Sequence, residues 1–139
     1  MLYNGLKDDM NSFAKFVYIY EFIIKKLGKE KEFSLQFPDA FYLYKHELKN
    51  QMKYAKRIDM NTLPINNKHT LYFTKQKVQV LDFIRHFRNS FVHGLLEHKS
   101  QKLFVSDKFR TFNTSIGYLD YMSVKKFIVE IIKEYENDK

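Results

Sequence analysis

The chain has 139 residues, the length of one domain, and this length allows a buried core without disulfide or metal support. It contains no cysteine, which excludes a disulfide framework, a thiol nucleophile and a cysteine-ligated zinc site. Lysine and arginine number 24 against 16 acidic residues, and the formal charge of +8 favours phosphate-rich partners. The lysines are spread along the chain, however, so a solvated basic surface explains the charge equally well.

The N-terminal segment is not expected to be an export signal. Met1 and the residues after it lack a basic start followed by an apolar run. No apolar stretch reaches the roughly 20 residues that a membrane-spanning helix needs. We therefore expect a single cytoplasmic domain over residues 1–139 that does not contact a membrane.

Two helices are predicted in the N-terminal half. Residues 6–27 carry apolar side chains three or four positions apart, and Gly28 closes the run. A second helix is predicted from Pro38 to Ala55, and the segment 59–73 predicts a connecting loop. The apolar positions are Leu6, Met10, Phe13, Val17, Tyr20, Ile24 and Leu27 in the first helix, and Phe41, Tyr44, Leu48, Met52 and Ala55 in the second.

The C-terminal half predicts two more helices with a β segment between them. A third helix is predicted to begin after Thr74, a suitable N-cap, and to end at Gly94. Residues 102–123 mix β-branched and aromatic side chains with turn candidates at 106–108 and 117–120, which favours short strands or a hairpin. Ser123 is predicted to cap the last helix. The apolar stripe of the third helix is Val78, Leu81, Ile84, Phe87, Phe91 and Leu95.

These elements together predict a mainly α fold. The expected architecture is an antiparallel helical bundle with a small β-hairpin before the C-terminal helix.

A polar cluster lies at the end of the third helix, in the stretch IRHFRNSFVHG at residues 84–94. His93 can move a proton near neutral pH, and the guanidinium of Arg88 offers paired donors to phosphate oxygens. RNA supplies its own nucleophile, the 2′-hydroxyl, so these two groups match the needs of RNA cleavage. Asn89 precedes His93 by four residues and shares its face, where it could hold a substrate oxygen or orient the imidazole.

Helix geometry separates the two candidate catalytic groups. At about 100° per residue, Arg88 and His93 are roughly 140° apart around a regular helix. Either Gly94 loosens the helix end, or two copies of the helix meet so that both pairs line one cleft. The second arrangement predicts that an isolated monomer is inactive.

The motif and the elements around it resemble the HEPN superfamily of helical nucleases and nucleotide-binding proteins. The signature of that family is an arginine followed by a polar residue, with a histidine a few positions on, and here Arg88, Asn89 and His93 match it. The similarity covers about residues 74–135. It implies a metal-independent endoribonuclease, often a toxin or a phage-defence effector, that acts as a dimer and uses no cofactor. In toxins paired with a nucleotidyltransferase antitoxin, a tyrosine that is the target of modification commonly follows the histidine closely. Here Gly94, Leu95 and Leu96 follow His93, so that regulation is not expected.

The resemblance and the chemistry together predict cleavage of single-stranded or loop RNA by attack of the 2′-hydroxyl. Arg88 and His93 are the expected catalytic residues, and Asn89, Arg85 and His98 are expected to bind substrate. The expected partners are RNA, a second copy of the chain bound through the motif helix, and an antitoxin or regulatory protein. No metal site is predicted.

The alternative is a non-catalytic HEPN-like module that binds nucleotide, RNA or a partner protein. An Arg88 or His93 turned into the core, or a cleft too narrow for a phosphodiester, would favour it. His93 could also be a helix C-terminal histidine that interacts with the helix dipole, and Arg85 and Arg88 could be surface charges. His86 is predicted to lie at the surface or in an interface.

The remaining candidates have structural interpretations. Phenylalanine and tyrosine at helical spacing suit a core or dimer interface better than base stacking, although Tyr118 and Tyr121 could rim a cleft. His46 and His69 are predicted to be structural or solvent-facing. A DNA-binding domain is disfavoured because no short helix-turn-helix pair is evident.

Overall fold

The computed structural model describes residues 5–63 and 70–137, which form five α-helices and five strands. Within these ranges no helix is both long and apolar enough to cross a membrane. The loop residues Pro64, Asn66 and Asn67, together with His69, lie outside the described residues. The helices are α1 (Met10–Phe22), α2 (Glu30–Gln36), α3 (Pro38–Leu43), α4 (Gln79–Val92) and α5 (Tyr121–Asn137), and the strands are β1 (Met52–Tyr54), β2 (Leu71–Phe73), β3 (Glu97–Lys99), β4 (Lys102–Phe109) and β5 (Phe112–Asp120).

All five strands form one mixed sheet in the order β1-β2-β5-β4-β3. The pair β1 and β2 is parallel, and the other neighbouring pairs are antiparallel. The predicted mainly α bundle with one small hairpin is therefore wrong, and the fold is α/β. Strands β1, β2 and β3 have three residues each, which is too short to show an alternating pattern in the sequence.

The second predicted helix is shorter than expected. It begins at Pro38 as predicted, continues beyond α3 as a π-helical turn (Tyr44–Leu48) and a 3₁₀ turn (Lys49–Gln51), and then becomes extended at Met52. Met52 pairs with Leu71 of β2. Helical spacing of apolar residues did not reveal this change, because the strand is stabilised by pairing with a segment distant in sequence.

The hairpin of β4 and β5 is longer than the predicted one. Both turn candidates, 106–108 and 117–120, lie inside strands, and the chain reverses instead at Arg110, which has a φ of 60°. A bulge interrupts the pairing between Asp107 and Lys108. Gly117 has a φ of 150°, and a Cβ there would lie 2.1 Å from the carbonyl oxygen of Thr70, so only glycine allows β2 to approach β5 at this point.

The core lies between the sheet and helices α1, α4 and α5. Phe87 of α4 packs edge-on against Phe13 and Phe16 of α1, with ring centroids 5.2 and 5.5 Å apart. Alternate residues of β4 and β5 contribute to the same cluster, including Leu103, Val105 and Leu119. Helix α4 is therefore the central helix, and only a narrow polar stripe of it reaches the surface.

Helix α4 begins later than predicted. Thr74 is not its cap, because the helix starts at Gln79 after extended backbone at Val78. The buried carboxylate of Asp82 accepts the backbone N–H groups of Gln76 and Lys77 and thereby holds the segment that leads into the helix.

The predicted end of the same helix at Gly94 is confirmed. Gly94 has a φ of 71°, its N–H donates to the carbonyl of Phe91, and the N–H of Leu95 donates to the carbonyl of Ser90. This pair of bonds is a Schellman motif, which favours glycine at the left-handed position. His93, the last residue before that glycine, is thus held at a defined helix end.

The last helix begins two residues before the predicted cap. Asp120, and not Ser123, precedes α5, and its carboxylate accepts hydrogen bonds from both the N–H and the hydroxyl of Ser123. The aspartate satisfies a free N–H of the first turn and places negative charge near the helix N-terminus.

Phe87→Ala is expected to lower the free energy of unfolding by about 3–5 kcal/mol, because it removes a fully buried ring at the contact of α1 and α4. Phe22→Ala is the matched control, since Phe22 is 55% exposed, and should cost less than about 1 kcal/mol. Urea unfolding followed by circular dichroism measures both. Equal losses in the two variants would contradict the central place of Phe87.

Candidate functional site

A cleft of about 710 Å³ opens between α4 and one end of the sheet. Two residues of α4 and its C-cap residue form one wall, and the opposite walls come from the segments that follow β1 and β2 and from the hairpin of β4 and β5. The lining residues are Ala55, Lys56, Arg57, Thr74, Lys75, Arg85, Asn89, His93, Asp107, Lys108, Phe109 and Thr114.

The helix wall is the polar stripe of α4. Arg85, Asn89 and His93 are each four residues apart, so they lie on one face of the helix. Phe87 and Phe91 face the core and set the rotation of α4 that turns this stripe to the cleft. The structure therefore brings together three of the five residues predicted for the site.

The imidazole of His93 contacts a buried carboxylate. Its Nδ1 lies 2.7 Å from Oδ1 of Asp107, whose side chain is 6% exposed, whereas that of His93 is 51% exposed. A carboxylate only accepts, so Nδ1 carries the proton and donates it to Asp107. In a neutral imidazole the other ring nitrogen, Nε2, is then the one that can accept a proton.

Asp107 is held in place by β4 and by a contact with α4. The hydroxyl oxygen of Ser90 accepts the N–H of Ser106 at 3.2 Å, which joins the last turn of the helix to the strand. Asp107 shares the inward face of β4 with Leu103 and Val105, and the bulge follows it directly. Asp107 was not among the site residues predicted from the sequence. A carboxylate in an otherwise apolar alternating pattern was the available signal.

Arg88 lies outside the cleft lining, on the side of α4 that faces α1. Its Nη2 lies 2.7 Å from Oε1 of Glu21, and its guanidinium is 5.8 Å from the ring centroid of Tyr20. Its Nη1 donates to Oδ1 of Asn89 at 2.8 Å. Arg88 and His93 thus contact different neighbours, as their angular separation predicts, and Arg88 reaches the cleft only through Asn89.

Basic side chains dominate the cleft. Five of them line it, against the single carboxylate of Asp107. Among the described residues only Arg85 of these five forms an ion pair, a long contact of 3.9 Å with Asp82. This clustering is what distinguishes a phosphate-binding site from lysines spread over a surface. The five are Lys56, Arg57, Lys75, Arg85 and Lys108.

Arg85 retains hydrogen-bonding capacity. Its Nη2 lies 3.1 Å from Nε2 of His86, and its side chain is one-quarter exposed. Its Nε is buried and has no hydrogen-bond partner among the described residues. The exposed part of its side chain lines the cleft, where the guanidinium can bind an anion.

His86 is fully buried beneath the cleft, so the predicted surface or interface position is wrong. Its ring stacks on Phe73 at a centroid distance of 5.3 Å, and its Nε2 also lies 3.1 Å from the carbonyl oxygen of Thr74. Burial, and then the neighbouring charge of Arg85, lower the pKa of His86 to about 4. The ring is therefore neutral at pH 7, and Arg85 has an uncharged neighbour.

His98 lies on β3 and does not line the cleft. Its Nδ1 is 3.2 Å from the carbonyl oxygen of Gly5, its Nε2 is 2.6 Å from that of Ser100, and its ring stacks on Tyr121. Tyr118, the other tyrosine considered for a cleft rim, packs against Phe104. His98 and both tyrosines therefore make structural contacts.

Three carboxylates, those of Asp39, Glu130 and Glu134, lie close together outside the cleft. Glu134 accepts the backbone N–H groups of Asp39 and Ala40 at the start of α3. Burial raises the pKa of Glu134. The group joins α5 to the N-terminus of α3, which accounts for its acidic side chains.

Comparison of the chain with models of known protein families, with curated proteins and with solved structures finds no match. Functional conclusions therefore depend on the chemistry of the site.

His86 is expected to make the free energy of unfolding depend on pH between about 6.5 and 4. The unfolded chain binds a proton on this imidazole near pH 6.5, whereas the folded chain does so near pH 4. The contribution of the neutral His86 ring to the free energy of unfolding is therefore fully present above about pH 6.5. It is lost as the pH decreases towards 4, and this loss amounts to up to about 3 kcal/mol.

Urea unfolding at several pH values measures this effect. His86→Gln should flatten the slope between pH 6.5 and 4, and His46→Gln, at an exposed histidine, should retain it. The same slope in His86→Gln and in the wild type would show that another group is responsible.

Proposed function

We propose that the protein is a metal-independent endoribonuclease that cleaves single-stranded or loop RNA in this cleft. The observation that carries the proposal is the contact of His93 with Asp107 at the edge of a cleft lined by five basic side chains. The match of Arg88, Asn89 and His93 to the HEPN motif supports the same activity. That resemblance concerns the motif, since the sheet departs from a helical bundle.

His93 is the general base of the proposed reaction. Its Nε2 takes the proton of the RNA 2′-hydroxyl, and the 2′-oxygen forms a bond to the adjacent phosphorus. The bond from phosphorus to the 5′-oxygen breaks, and the 5′-oxygen takes a proton from water in the open cleft. The products are a 2′,3′-cyclic phosphate and a 5′-hydroxyl. Asp107 is a positioning residue, which fixes the tautomer of His93 and stabilises the imidazolium that forms.

Arg85 is the group that binds the reacting phosphate. It lines the same wall as His93, and its buried Nε has no hydrogen-bond partner among the described residues. Lys75 and Lys108 add positive charge where the phosphorane becomes more negative. Asn89 lies between Arg85 and His93, and the hydrogen bond from Arg88 orients its amide. Arg88, assigned a catalytic role from the motif, is a positioning residue in this proposal.

The second candidate function is a non-catalytic module that binds RNA, nucleotide or a partner protein. The ion pair of Arg88 with Glu21 favours it, because this arginine is turned away from the cleft. The exposure of His93 and the volume of the cleft favour the nuclease. Both functions use the same basic lining, so cleavage is the measurement that separates them.

A homodimer through α4 remains part of the proposal. Within residues 85–93, Arg85, Arg88, Asn89, Val92 and His93 are not fully buried, so a second copy would have to bind there. One chain already brings His93, Asp107 and Arg85 together, and dimerisation would serve to close the cleft. A toxin or defence role and a regulatory partner are proposed on the resemblance alone.

His93→Ala is expected to lower the rate of RNA cleavage by about 10²- to 10⁴-fold, the usual contribution of a general base. Asp107→Asn should lower it by about tenfold or more, because it removes the charge that stabilises the imidazolium. The measurement is cleavage of a mixed RNA pool in EDTA, with the product ends analysed for a 2′,3′-cyclic phosphate. His46→Ala, at an exposed histidine outside the cleft, is the control. Equal cleavage by wild type and His93→Ala would show that another protein cuts the RNA.

Arg85→Ala is expected to reduce cleavage by about 10²-fold, the loss typical for one donor to a transition-state oxyanion. Arg88→Ala should cost less than about tenfold, because Arg88 acts through Asn89. Single-turnover rates at saturating protein compare the two variants. A loss in Arg88→Ala as large as that in Arg85→Ala would mean that Arg88 leaves Glu21 and reaches the substrate.

A further inference from the structure

Two phenylalanines stand exposed at the tip of the hairpin. Phe109 ends β4, Phe112 begins β5, and the two pair across the strands. They are 52% and 43% exposed, and Phe109 also lines the cleft. Neither ring belongs to the buried core cluster. Apolar rings at such a position cost free energy in the unbound protein and indicate a binding surface.

Arg57 lies over both rings. Its guanidinium is 4.8 Å from the centroid of Phe109 and 5.2 Å from that of Phe112. Arg110, in the turn, lies 5.4 Å from the centroid of Phe109. Neither arginine forms an ion pair with a carboxylate in residues 5–63 and 70–137. Both cations are therefore stabilised by aromatic faces and remain able to attract a phosphate.

The position of Arg57 is set by contacts with β5. It begins the 3₁₀ turn Arg57–Thr62, in which Met60 is buried, and Asn113 of β5 donates a hydrogen bond to Asn61 at 2.8 Å. The turn that carries Arg57 thus packs against β5 next to the hairpin tip. We call Arg57, Phe109 and Phe112 the hairpin platform.

We propose that the hairpin platform stacks an unpaired base of a single-stranded nucleic acid whose phosphate lies in the cleft. Aromatic faces and guanidinium planes are the surfaces on which proteins stack bases, and the neighbouring cations suit the backbone. Phe109 follows Asp107 by two strand residues, about 7 Å, which places the platform beside His93. In a duplex the bases stack on one another, so the platform selects single strands. This inference rests on the proposed function, since it assigns the base-binding subsite of the same cleft.

The test uses uncleavable oligonucleotides. One is a 2′-O-methyl RNA that contains a single 2-aminopurine, and the other has the same backbone with abasic sites in place of the bases. The wild type should bind the first at least tenfold more tightly than the second and quench its fluorescence by stacking. Phe109→Leu and Phe112→Leu keep an apolar side chain but remove the aromatic face, so both should lose this preference. Phe22→Leu, at an exposed ring outside the cleft, should keep it.

Three outcomes would contradict the proposal that the hairpin platform stacks a base. They are equal binding of the two oligonucleotides by the wild type, no binding of either, and tighter binding of a duplex than of a single strand. Because these probes cannot be cleaved, the result does not depend on catalysis. If the protein prefers the oligonucleotide with bases but does not cut RNA, the hairpin platform is supported and the nuclease proposal is wrong. If it cuts RNA but shows no base preference, the nuclease proposal is supported and the platform is wrong.

Discussion

The arrangement of the cleft depends on the junction of α4 with β4. The hydroxyl of Ser90 accepts the N–H of Ser106, so the last turn of the helix and the strand are joined at one point. Three residues along the helix, about 4.5 Å, lead from Ser90 to His93, and one residue along the strand, about 3.3 Å, leads from Ser106 to Asp107. The imidazole of His93 and the carboxylate of Asp107 therefore both lie near this joint, where they are 2.7 Å apart. The Schellman motif at Gly94 then prevents the helix from extending past this contact.

The burial of Asp107 determines the electrostatics of this junction. A carboxylate on a side chain that is only 6% exposed is costly unless it is paired, and His93 supplies the donor. The basic side chains around the cleft stabilise the same negative charge and leave an excess of positive charge for a ligand. Beneath them, the uncharged ring of His86 lies against Arg85 without adding a further buried charge to those of Asp82 and Asp107. The fold thus concentrates positive charge around one buried carboxylate in the cleft.

Local pattern predicted the parts of the fold that local forces determine. The stripe of α4 and its end at Gly94 follow from helical periodicity and from the left-handed conformation that glycine accepts. The strands around Met52 and Leu71 did not follow, because three-residue segments have no period and are held by partners distant in the chain. Local pattern therefore predicted one hairpin where the structure has a five-stranded sheet.

Part of the candidate site could likewise be predicted from local pattern, and part could not. The sequence by itself determined that a polar cluster ends an apolar helix and that Arg85, Asn89 and His93 share one face of it, because spacing along a helix sets direction. Only the tertiary structure decided that this face, and not that of Arg88, opens to the cleft, since the packing of Phe87 against α1 sets the rotation of the helix. It also decided that Asp107 meets His93. Those two residues are 14 positions apart, and their contact requires the docking of strand on helix, which no local pattern encodes.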